Sequence, residues 1–517
     1  MACSLLSLCH RAHRASGRES GRLRWSPARI KSVVIRLVRI VGFGVGVATG
    51  FAASGSSVQP NIVFILADDL GWTDLRCYGS PWHDTPHLDR LAREGTRFTN
   101  GYAAAPICSA SRAALLTGRS PARLGFEFVT KLPTAKRPAG HPLVGPPYPL
   151  NLPLAEVTLG ELLGGAGYAT GYFGKWHVSE HHGGYLGWSP THGPLQQGYA
   201  EGDQEFGLHP YGYVANPAAK STRLPAGDFG RDPLTERAIA FLRARRSSPF
   251  FLHLAHYYVH DPIHSRAPWL VEKYAARLPA GADPRRAEYA AMIETLDHLV
   301  GQILHALDEL GFAENTLVVF TSDNGGHPQY AANGPLRGSK WNVYEGGVRV
   351  PWIVRWPGRV PTGATSEAPF IGTDLLPTLA AVAGAKLPGG VTLDGRNVLP
   401  RWRGEPTAPA DRERAFVWHF PYYHPETGFA QARPTIGVDD FAISQTRPQS
   451  AIRAGEWVLL HFYEDDRDEL YHLPSDASEQ RDLAAREPAR ARELRRRLDD
   501  HLRAVGARLP TRSAAGR

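Results

Sequence analysis

Two short apolar runs, each followed by polar side chains, constrain the fold of this chain most strongly. The run NIVFILA (61–67) precedes two aspartates, and the run TLVVFTS (316–322) precedes an aspartate and an asparagine. Each run is too short for a helix, and neither alternates as a half-exposed strand would. Both are therefore predicted to be buried strands of a sheet that is covered on its two faces. The polar side chains that follow them are Asp68, Asp69, Asp323 and Asn324.

Other segments extend this pattern into an alternation of strands and helices. The further predicted strands are Ala169–Phe173, Phe250–Ala255 and Trp352–Arg355. The predicted helices are Thr85–Glu94, Ala110–Leu116, Leu159–Ala166, Leu234–Arg245 and Arg286–Leu310. Such alternation is typical of an α/β sheet with helices on both faces, where ligands bind beyond the carboxyl ends of strands. The four polar side chains are expected at those ends.

A change of composition after about residue 385 indicates a second unit. Gly, Pro and Thr are frequent over 386–412. The elements predicted beyond that point are the strands Ala415–Phe420 and Trp457–Phe462 and a charged helix, Glu487–Val505. We expect a catalytic domain over 58–400 and a smaller α+β domain over 401–510.

Residues 1–57 predict an export leader. They contain nine Lys or Arg against one Glu, which accounts for the whole net charge of +8. The apolar stretch Ile40–Ala53 follows Arg36 and Arg39 and precedes small residues, as in a signal peptide. Because this stretch is short and contains four glycines, we expect an exported protein without a stable membrane span. A retained anchor is the alternative. The rest of the chain is neutral, so no nucleic-acid partner is expected.

The four oxygen donors at the two strand ends predict a metal site. Neither motif contains Cys or His, so the donors would suit a hard cation such as Ca²⁺ or Mg²⁺. Asp and Asn are also ordinary turn residues, and two unrelated loop caps are the alternative. The repetition of the pattern on two buried strands favours the metal.

A loop that enters a short helix carries a candidate nucleophile. In CSASRAALLTGR (108–119), Cys108 precedes the predicted helix, and Arg112 lies one turn further on. An activated thiol beside a cation is the functional interpretation, because a helix N-terminus stabilises an anion. A small buried cysteine is the alternative. Of the four cysteines, Cys77 and Cys108 lie outside the leader, and they could pair or leave one functional.

Two lysines and two histidines complete the candidate set. Lys175 and His177 follow a predicted strand in GKWH, His260 stands in YYVHDP, and Lys340 stands in RGSKWNVYEGG. Each is weak evidence alone, but together they would form a site for a tetrahedral oxyanion. Residue types and spacing therefore predict a metal-assisted hydrolase that acts on an anionic ester.

The segment at Cys108 resembles the signature of the type I, formylglycine-dependent sulfatases, Cys-x-Pro-Ser-Arg followed by a helix and Thr-Gly-Arg. Further blocks occur in the order usual for that arylsulfatase-like family, among them TPHLDRLAREGTRFTN, GYFGKWH, FFLHLAHYYVHDPI and DELYHLPSDASEQRDLA. The blocks cover most of residues 60–485. The resemblance implies the fold of the alkaline phosphatase superfamily. Such a fold has a large α/β domain with a central mixed sheet between helices, and a smaller C-terminal α+β domain with an antiparallel sheet.

The resemblance also implies a role for each candidate. A maturation enzyme would oxidise Cys108 to formylglycine. The ligands of a Ca²⁺ ion would be Asp68, Asp69, Cys108, Asp323 and Asn324, with Mg²⁺ as the alternative ion. The groups acting on the sulfate ester would be Arg112 on the formylglycine hydrate, Lys175 and Lys340 on the sulfate, and the active-site histidines His177 and His260. His260 would also contact the substrate and, with Lys340, protonate the departing alcohol.

Two departures from the family pattern bear on these expectations. Ala110 stands where Pro is usual. Alanine is compatible with the motif that maturation enzymes read, so conversion of Cys108 is expected. GKWHVSE lacks the Gly that is common two residues after the histidine. The family's minor polar sulfate ligand, usually a Ser, has no assigned position in 179–215.

The expected substrate is a sulfate monoester, either of a carbohydrate or of an aryl group. The side chains predicted to line its pocket are Trp418, His419, Tyr422, Tyr423 and His424, with His181, His182, His327, Asn333 and Arg337. Aromatic and hydrogen-bonding groups together suit a sugar ring. The aromatic segment could instead pack the two domains together. The alternative functions are a phosphoester or phosphonate-ester hydrolase of the same superfamily, a sulfate transferase, and a catalytically inactive protein that binds sulfated sugars.

Overall fold

The structure of the chain is a computed structural model. It describes residues 59–130, 141–245, 248–387, 389–406, 408, 411, 413–423 and 447–513. The predicted leader, 1–57, lies outside these ranges, as does the pocket candidate His424. A search of the described part finds no helix with the length and apolar character of a membrane span.

The strands and helices are numbered here in chain order. The strands are β1 (Asn61–Ala67), β2 (Thr96–Phe98), β3 (Gly101–Tyr102), β4 (Leu143–Val144), β5 (Ala169–Gly174), β6 (Glu201–Asp203), β7 (Phe250–Ala255), β8 (Thr316–Ser322), β9 (Trp352–Arg355), β10 (Ala364–Ser366), β11 (Phe370–Ile371), β12 (Ala415–Phe420), β13 (Gln449–Ala454), β14 (Trp457–Phe462), β15 (Arg467–His472) and β16 (Thr511–Arg512). The helices are α1 (Pro86–Glu94), α2 (Cys108–Thr117), α3 (Pro121–Leu124), α4 (Leu159–Gly165), α5 (Pro217–Ser221), α6 (Pro233–Arg243), α7 (Pro268–Ala275), α8 (Arg285–Glu309), α9 (Glu345–Val348), α10 (Leu375–Ala383), α11 (Leu399–Trp402) and α12 (Pro488–Ala504).

The central sheet is mixed and has eight strands in the order β10-β2-β9-β8-β1-β7-β5-β6. Strands β8, β1, β7 and β5 run parallel to one another, whereas β9 runs antiparallel to β8. The four parallel strands therefore end at the same edge of the sheet, and the segments that follow them meet there.

Both faces of this sheet are buried, as the apolar runs predict. Along β1, Ile62, Phe64 and Leu66 belong to one hydrophobic core, and Val63 and Ile65 belong to another on the opposite face. Helices α1, α6 and α8 cover the second face, and α2, α4 and α10 cover the first. A strand whose alternate side chains both enter a core carries no polar face, which explains its continuous apolar sequence.

A second sheet, β12-β13-β14-β15, is antiparallel throughout. Helix α12 packs on one face through Leu494, Leu498 and Leu502. The other face buries Trp418 and Phe462 in a core shared with the helix α2. The second sheet therefore packs against α2, the helix that begins at Cys108.

The expected fold class is confirmed, with a mixed sheet between helices and a C-terminal unit with an antiparallel sheet. The bounds of β7, β9, β12 and β14 agree with the predicted strands. Helix α11 crosses residue 400, and its Trp402 is buried in the core of the large sheet. The division at 57 and 400 stays a prediction.

Candidate active site

The predicted site residues follow the ends of the parallel strands. Asp68 and Asp69 come directly after β1, and Asp323 and Asn324 come directly after β8. Lys175 follows β5, and His260 lies a few residues beyond β7. Neighbouring strands that end at one edge bring segments distant in sequence within hydrogen-bonding distance of one another.

Three buried carboxylates form the centre of the site. Asp68, Asp69 and Asp323 are fully buried. The backbone N–H of Asp69 donates to Asp323 Oδ1 over 3.2 Å. Asp69 has a φ of 59°, and this left-handed turn directs the chain away from β1 immediately after the strand. Asn324 Nδ2 lies 2.7 Å from Asp69 Oδ1.

Three buried cations pair with these carboxylates. Lys175 Nζ lies 2.5 Å from Asp68 Oδ2, and Lys340 Nζ lies 2.6 Å from Asp69 Oδ2. Arg112 Nε and Nη2 lie 2.9 and 2.8 Å from Asp323 Oδ2. Three positive charges therefore balance three negative ones in a volume from which water is excluded. Burial opposes the charge of Lys175 and Lys340, but Asp68 and Asp69 raise their pKa values above the ordinary lysine value.

The pKa values of two of the carboxylates are shifted in opposite directions. Burial tends to raise the pKa of Asp69, but Lys340, His260 and Lys175 outweigh it, so its pKa falls below the usual range. Burial and the nearby Asp68 carboxylate raise the pKa of Asp323 to about 6 despite Arg112. Mutual repulsion of this kind is relieved by a bound cation.

Cys108 lies at the first position of α2 and beside the carboxylates. Its Sγ is 3.5 Å from Asp68 Oδ1 and 3.8 Å from Asp69 Oδ1. Burial and Asp323 raise the pKa of the thiol well above its ordinary value. Arg112 is directed to Asp323 and to the carbonyl of Lys175. In the absence of a bound metal, these surroundings favour the neutral thiol over a thiolate for the unmodified side chain. Cys77 is also a free thiol, so the two cysteines do not pair.

His260 contacts the charged cluster, and its side chain is partly exposed. Its Nε2 lies 3.2 Å from Lys340 Nζ and 3.6 Å from Asp69 Oδ2. Its Nδ1 lies 2.6 Å from the carbonyl oxygen of Asp261, which can only accept a hydrogen bond. This network assigns the proton to Nδ1 and leaves Nε2 to accept from Lys340. Burial and Lys340 lower the pKa of His260 to about 3.

His177 lies two residues after Lys175 and is buried. Burial and the charge of Lys175 lower its pKa well below the ordinary value. Its Nδ1 has no hydrogen-bond partner among the described residues. A buried polar atom without a partner is costly, so this nitrogen is a candidate for contact with a bound group.

The residues present fit a hard divalent cation. Ligand atoms of Asp68, Asp69, Cys108 and His260 lie within 4.8 Å of one another. The amide oxygen of Asn324 is buried without a hydrogen-bond partner in the described part of the chain. Because a half-turn exchanges its oxygen and nitrogen, this amide can present the oxygen toward Asp69. Carboxylate and amide oxygens are the donors that Ca²⁺ and Mg²⁺ prefer.

Two tyrosines that the sequence analysis does not single out belong to the site. The hydroxyl of Tyr172, on β5, donates to the carbonyl of Lys175 over 2.6 Å and so fixes the turn that carries this lysine. The hydroxyl of Tyr211 lies 2.8 Å from His260 Nδ1. Alternation along β5 could have indicated an inward side chain at Tyr172, whereas Tyr211 stands in an irregular loop.

Side chains of the aromatic segment after residue 415 make packing contacts in the described part of the chain. Trp418 is buried and donates its Nε1–H to the carbonyl of Ala103 over 2.8 Å. Tyr422 packs against Phe128 with ring centroids 4.8 Å apart. His419 Nδ1 lies 2.7 Å from Ser450 Oγ. These contacts favour the domain-packing alternative for Trp418, His419 and Tyr422.

Other pocket candidates also have structural roles. Asn333 accepts a hydrogen bond from Gly326 N, and Arg337 donates to the hydroxyl of Tyr471. His327 is buried beside Trp341. His181 and His182 remain near the site.

Comparison with known proteins decides the family. The family model for sulfatases matches residues 60–385. The chain belongs to the sulfatase family. A second model, for the C-terminal part of N-sulphoglucosamine sulphohydrolase, matches residues 339–507.

Individual relatives agree with this assignment. Arylsulfatase A of Homo sapiens is 36% identical over 467 residues, which cover 81% of this chain and 85% of the relative. A sulfatase of Formosa agariphila is 32% identical over 537 residues, with 90% and 93% coverage. The solved structure of Ps i-CgsB in complex with k-i-k-neocarrahexaose has 29% identity and a TM-score of 0.65, and the match covers 86% of this chain and 93% of that one. The protein is a sulfuric ester hydrolase, as its sequence predicts.

Proposed function

We propose that this sulfatase hydrolyses the sulfate monoester of a carbohydrate with a formylglycine made from Cys108 and a Ca²⁺ ion. The observation that carries the proposal is the convergence of Cys108 with three carboxylates and three cations at one sheet edge. A sugar-binding or inactive protein has no need to bury six charges around one side chain, because each costs desolvation energy.

The proposed metal ligands are Asp68, Asp69, Asp323, Asn324 and residue 108. When bound, Ca²⁺ would supply positive charge to the sulfate oxygens and to the nucleophile, and Mg²⁺ would be the alternative ion. The six charged side chains balance one another, so a divalent cation gives the site an excess of positive charge. An anionic sulfate ester is attracted by that excess.

The proposed role of the lysines follows from their geometry. Each ammonium group has three N–H donors. The carboxylate contact of Lys175 occupies one of its donors, and Lys340 uses one for Asp69 and one for His260. The remaining donors would bind sulfate oxygens and stabilise the charge that develops on them. Arg112 would hold Asp323 and the backbone of Lys175 in place while its charge acts on the hydrated nucleophile.

Formylglycine supplies two hydroxyls on one carbon when hydrated, one to attack sulfur and one whose ionisation expels the sulfate. His177, whose buried Nδ1 lacks a hydrogen-bond partner among the described residues, would take the proton of the second hydroxyl. The departing alcohol would receive its proton at the His260–Lys340 pair, whose nitrogens are 3.2 Å apart. A serine could form the ester but has no second hydroxyl to release the sulfate.

Helix geometry supports maturation at Cys108 despite Ala110. Ala110 lies in the first turn of α2, where a backbone N–H has no partner within the helix. A proline is tolerated there, so the family's Pro and this chain's Ala fit the same backbone. Export through the leader, which would bring the chain to a compartment with its substrate, is part of the proposal.

Release of inorganic sulfate tests the function. The protein, produced together with a formylglycine-generating enzyme, would be given sulfated monosaccharides, 4-nitrophenyl sulfate, a phosphate monoester and a phosphonate monoester. We expect turnover of sulfate esters by the native chain and none by Cys108→Ala, the matched control. Faster cleavage of the phosphorus esters would replace the proposal with a phosphoester or phosphonate-ester hydrolase.

A further inference from the structure

A cavity of about 370 Å³ lies beside the catalytic cluster. Its walls come from a glycine-rich loop and from the irregular segment that follows β6. The lining residues are His182, Gly183, Gly184, Tyr185, Leu186, Gly187, Gln204, Phe206 and Tyr211. The volume is within the range of small-molecule sites.

The glycine-rich loop presents Tyr185 in a fixed place. The loop closes on itself through hydrogen bonds from His182 N to Gly187 O, 3.0 Å, and from Gly187 N to Gly184 O, 3.2 Å. Leu186 is buried in the core directly after the tyrosine. Tyr185 itself is 50% exposed. A large aromatic ring held in this way offers a flat face to a ligand at little entropic cost.

The cavity adjoins His260, the histidine proposed to act on the leaving alcohol. Tyr211 lines the cavity, and its hydroxyl lies 2.8 Å from His260 Nδ1. The rings of Tyr185 and Tyr211 are 5.4 Å apart. His181 packs against Tyr185 at 5.1 Å and against His177 at 5.6 Å. An alcohol that leaves toward His260 therefore lies next to this aromatic wall.

The lining suits an uncharged sugar ring that carries hydroxyl groups. Among the described residues the lining contains no Lys, Arg, Asp or Glu, so these side chains offer no counter-charge to a second sulfate or a carboxylate on the ligand. Aromatic faces from Tyr185 and Phe206 suit the C–H face of a ring. The Tyr211 hydroxyl, the Gln204 amide and His182 supply hydrogen bonds at its edge.

We propose that this cavity binds the neutral sugar ring that carries the scissile sulfate, with Tyr185 as its stacking platform. The inference rests on the proposed sulfatase function and narrows it to sugars without a further acidic group. Tyr185 and Tyr211 determine which alcohol is accepted, whereas the charged cluster binds the sulfate.

Substitution of Tyr185 tests the proposal. The mature enzyme and its Tyr185→Ala and Tyr185→Phe variants would be assayed on galactose and N-acetylglucosamine sulfated at single positions, and on sulfated glucuronate. We expect Tyr185→Ala to lower kcat/KM for the neutral sugars by about tenfold, and Tyr185→Phe to stay within about threefold of the native enzyme. Inhibition by inorganic sulfate should not change, because it reports the charged cluster alone. Leu509→Ala, at an equally exposed position that does not line the cavity, is the matched control.

The outcomes separate this inference from the proposed function. Equal kcat/KM for the native enzyme and Tyr185→Ala on every sugar, or a preference for the glucuronate, would overturn the assignment of the cavity while hydrolysis stands. If no ester is cleaved, the proposed hydrolysis is refuted, and calorimetric titration with the same neutral sugar sulfates tests the cavity. Binding that is weakened by Tyr185→Ala would support the cavity assignment. Tyr185-independent binding, or none, refutes the cavity assignment.

Discussion

Replacing Arg112 should damage both the stability and the activity of this sulfatase. The side chain is 1% exposed. Its guanidinium makes contacts of 2.9 and 2.8 Å to Asp323 and of 2.7 Å to the carbonyl of Lys175. Arg112→Met keeps the apolar stem but leaves three buried carboxylates against two cations. Loss of one member of a buried ion pair costs about 3–5 kcal/mol of unfolding free energy. Loss of a positioned donor lowers kcat by about 10²–10³-fold.

Urea titration and sulfate-release kinetics would measure the two effects. Arg112→Lys keeps the charge but cannot span Asp323 and the Lys175 carbonyl with a rigid fork, so we expect an intermediate loss. Arg123→Met is the matched control, because Arg123 pairs with Asp394 at 2.7 Å outside the site. It should cost about 1 kcal/mol and leave kcat unchanged. Native-like stability and kinetics for Arg112→Met would refute the reasoning about buried charge balance.

Three further predictions concern the metal, the core and pH. Removal of divalent ions with EDTA should lower kcat/KM by about tenfold or more, and added Ca²⁺ should restore it; unchanged activity after exhaustive chelation would contradict the metal site. Tyr78→Phe should cost about 2–4 kcal/mol in urea unfolding, because its buried hydroxyl accepts from Trp352 N at 2.8 Å and donates to a strand carbonyl; an unchanged midpoint would count against it. Burial raises the pKa of Asp297 to about 7, so above pH 4 the folded chain retains a proton that the unfolded chain releases. The unfolding free energy should therefore fall between about pH 4 and 7, by at most about 1.4 kcal/mol per pH unit, and Asp297→Asn should remove that slope; an equal slope in both proteins would exclude Asp297 as its source.

Regular, strongly apolar segments could be predicted from the sequence. The run Phe250–Ala255 is uniformly apolar apart from one histidine, and its predicted bounds are those of β7. Strand β13 was missed because QSAIRA mixes polar and apolar residues and gains its burial only from tertiary packing. Strand β2 is three residues long and pairs with β9 and β10, which are distant in sequence. A local sequence pattern does not predict such a pairing.

The same distinction holds in the site. The acidic pairs after buried strands lie close together in the structure, because neighbouring strands that end at one edge position them. Tyr211 could not be found, since its contact with His260 joins two irregular loops. The sequence leaves two interpretations open for the aromatic segment around Trp418, a pocket wall and a packing contact between domains. Large rings are common in both settings, so composition does not distinguish them; the burial of Trp418 favours the packing contact.

The most direct test of the central claim is the chemical state of residue 108. Trypsin releases the peptide Phe98–Arg112 (FTNGYAAAPICSASR) from the exported protein, purified from cells that produce it. Mass spectrometry and an aldehyde-specific hydrazide would examine this peptide. The account predicts an aldehyde at Cys108 and a larger aldehyde fraction in Ala110→Pro. An intact thiol in folded protein that cleaves sulfate esters would contradict it.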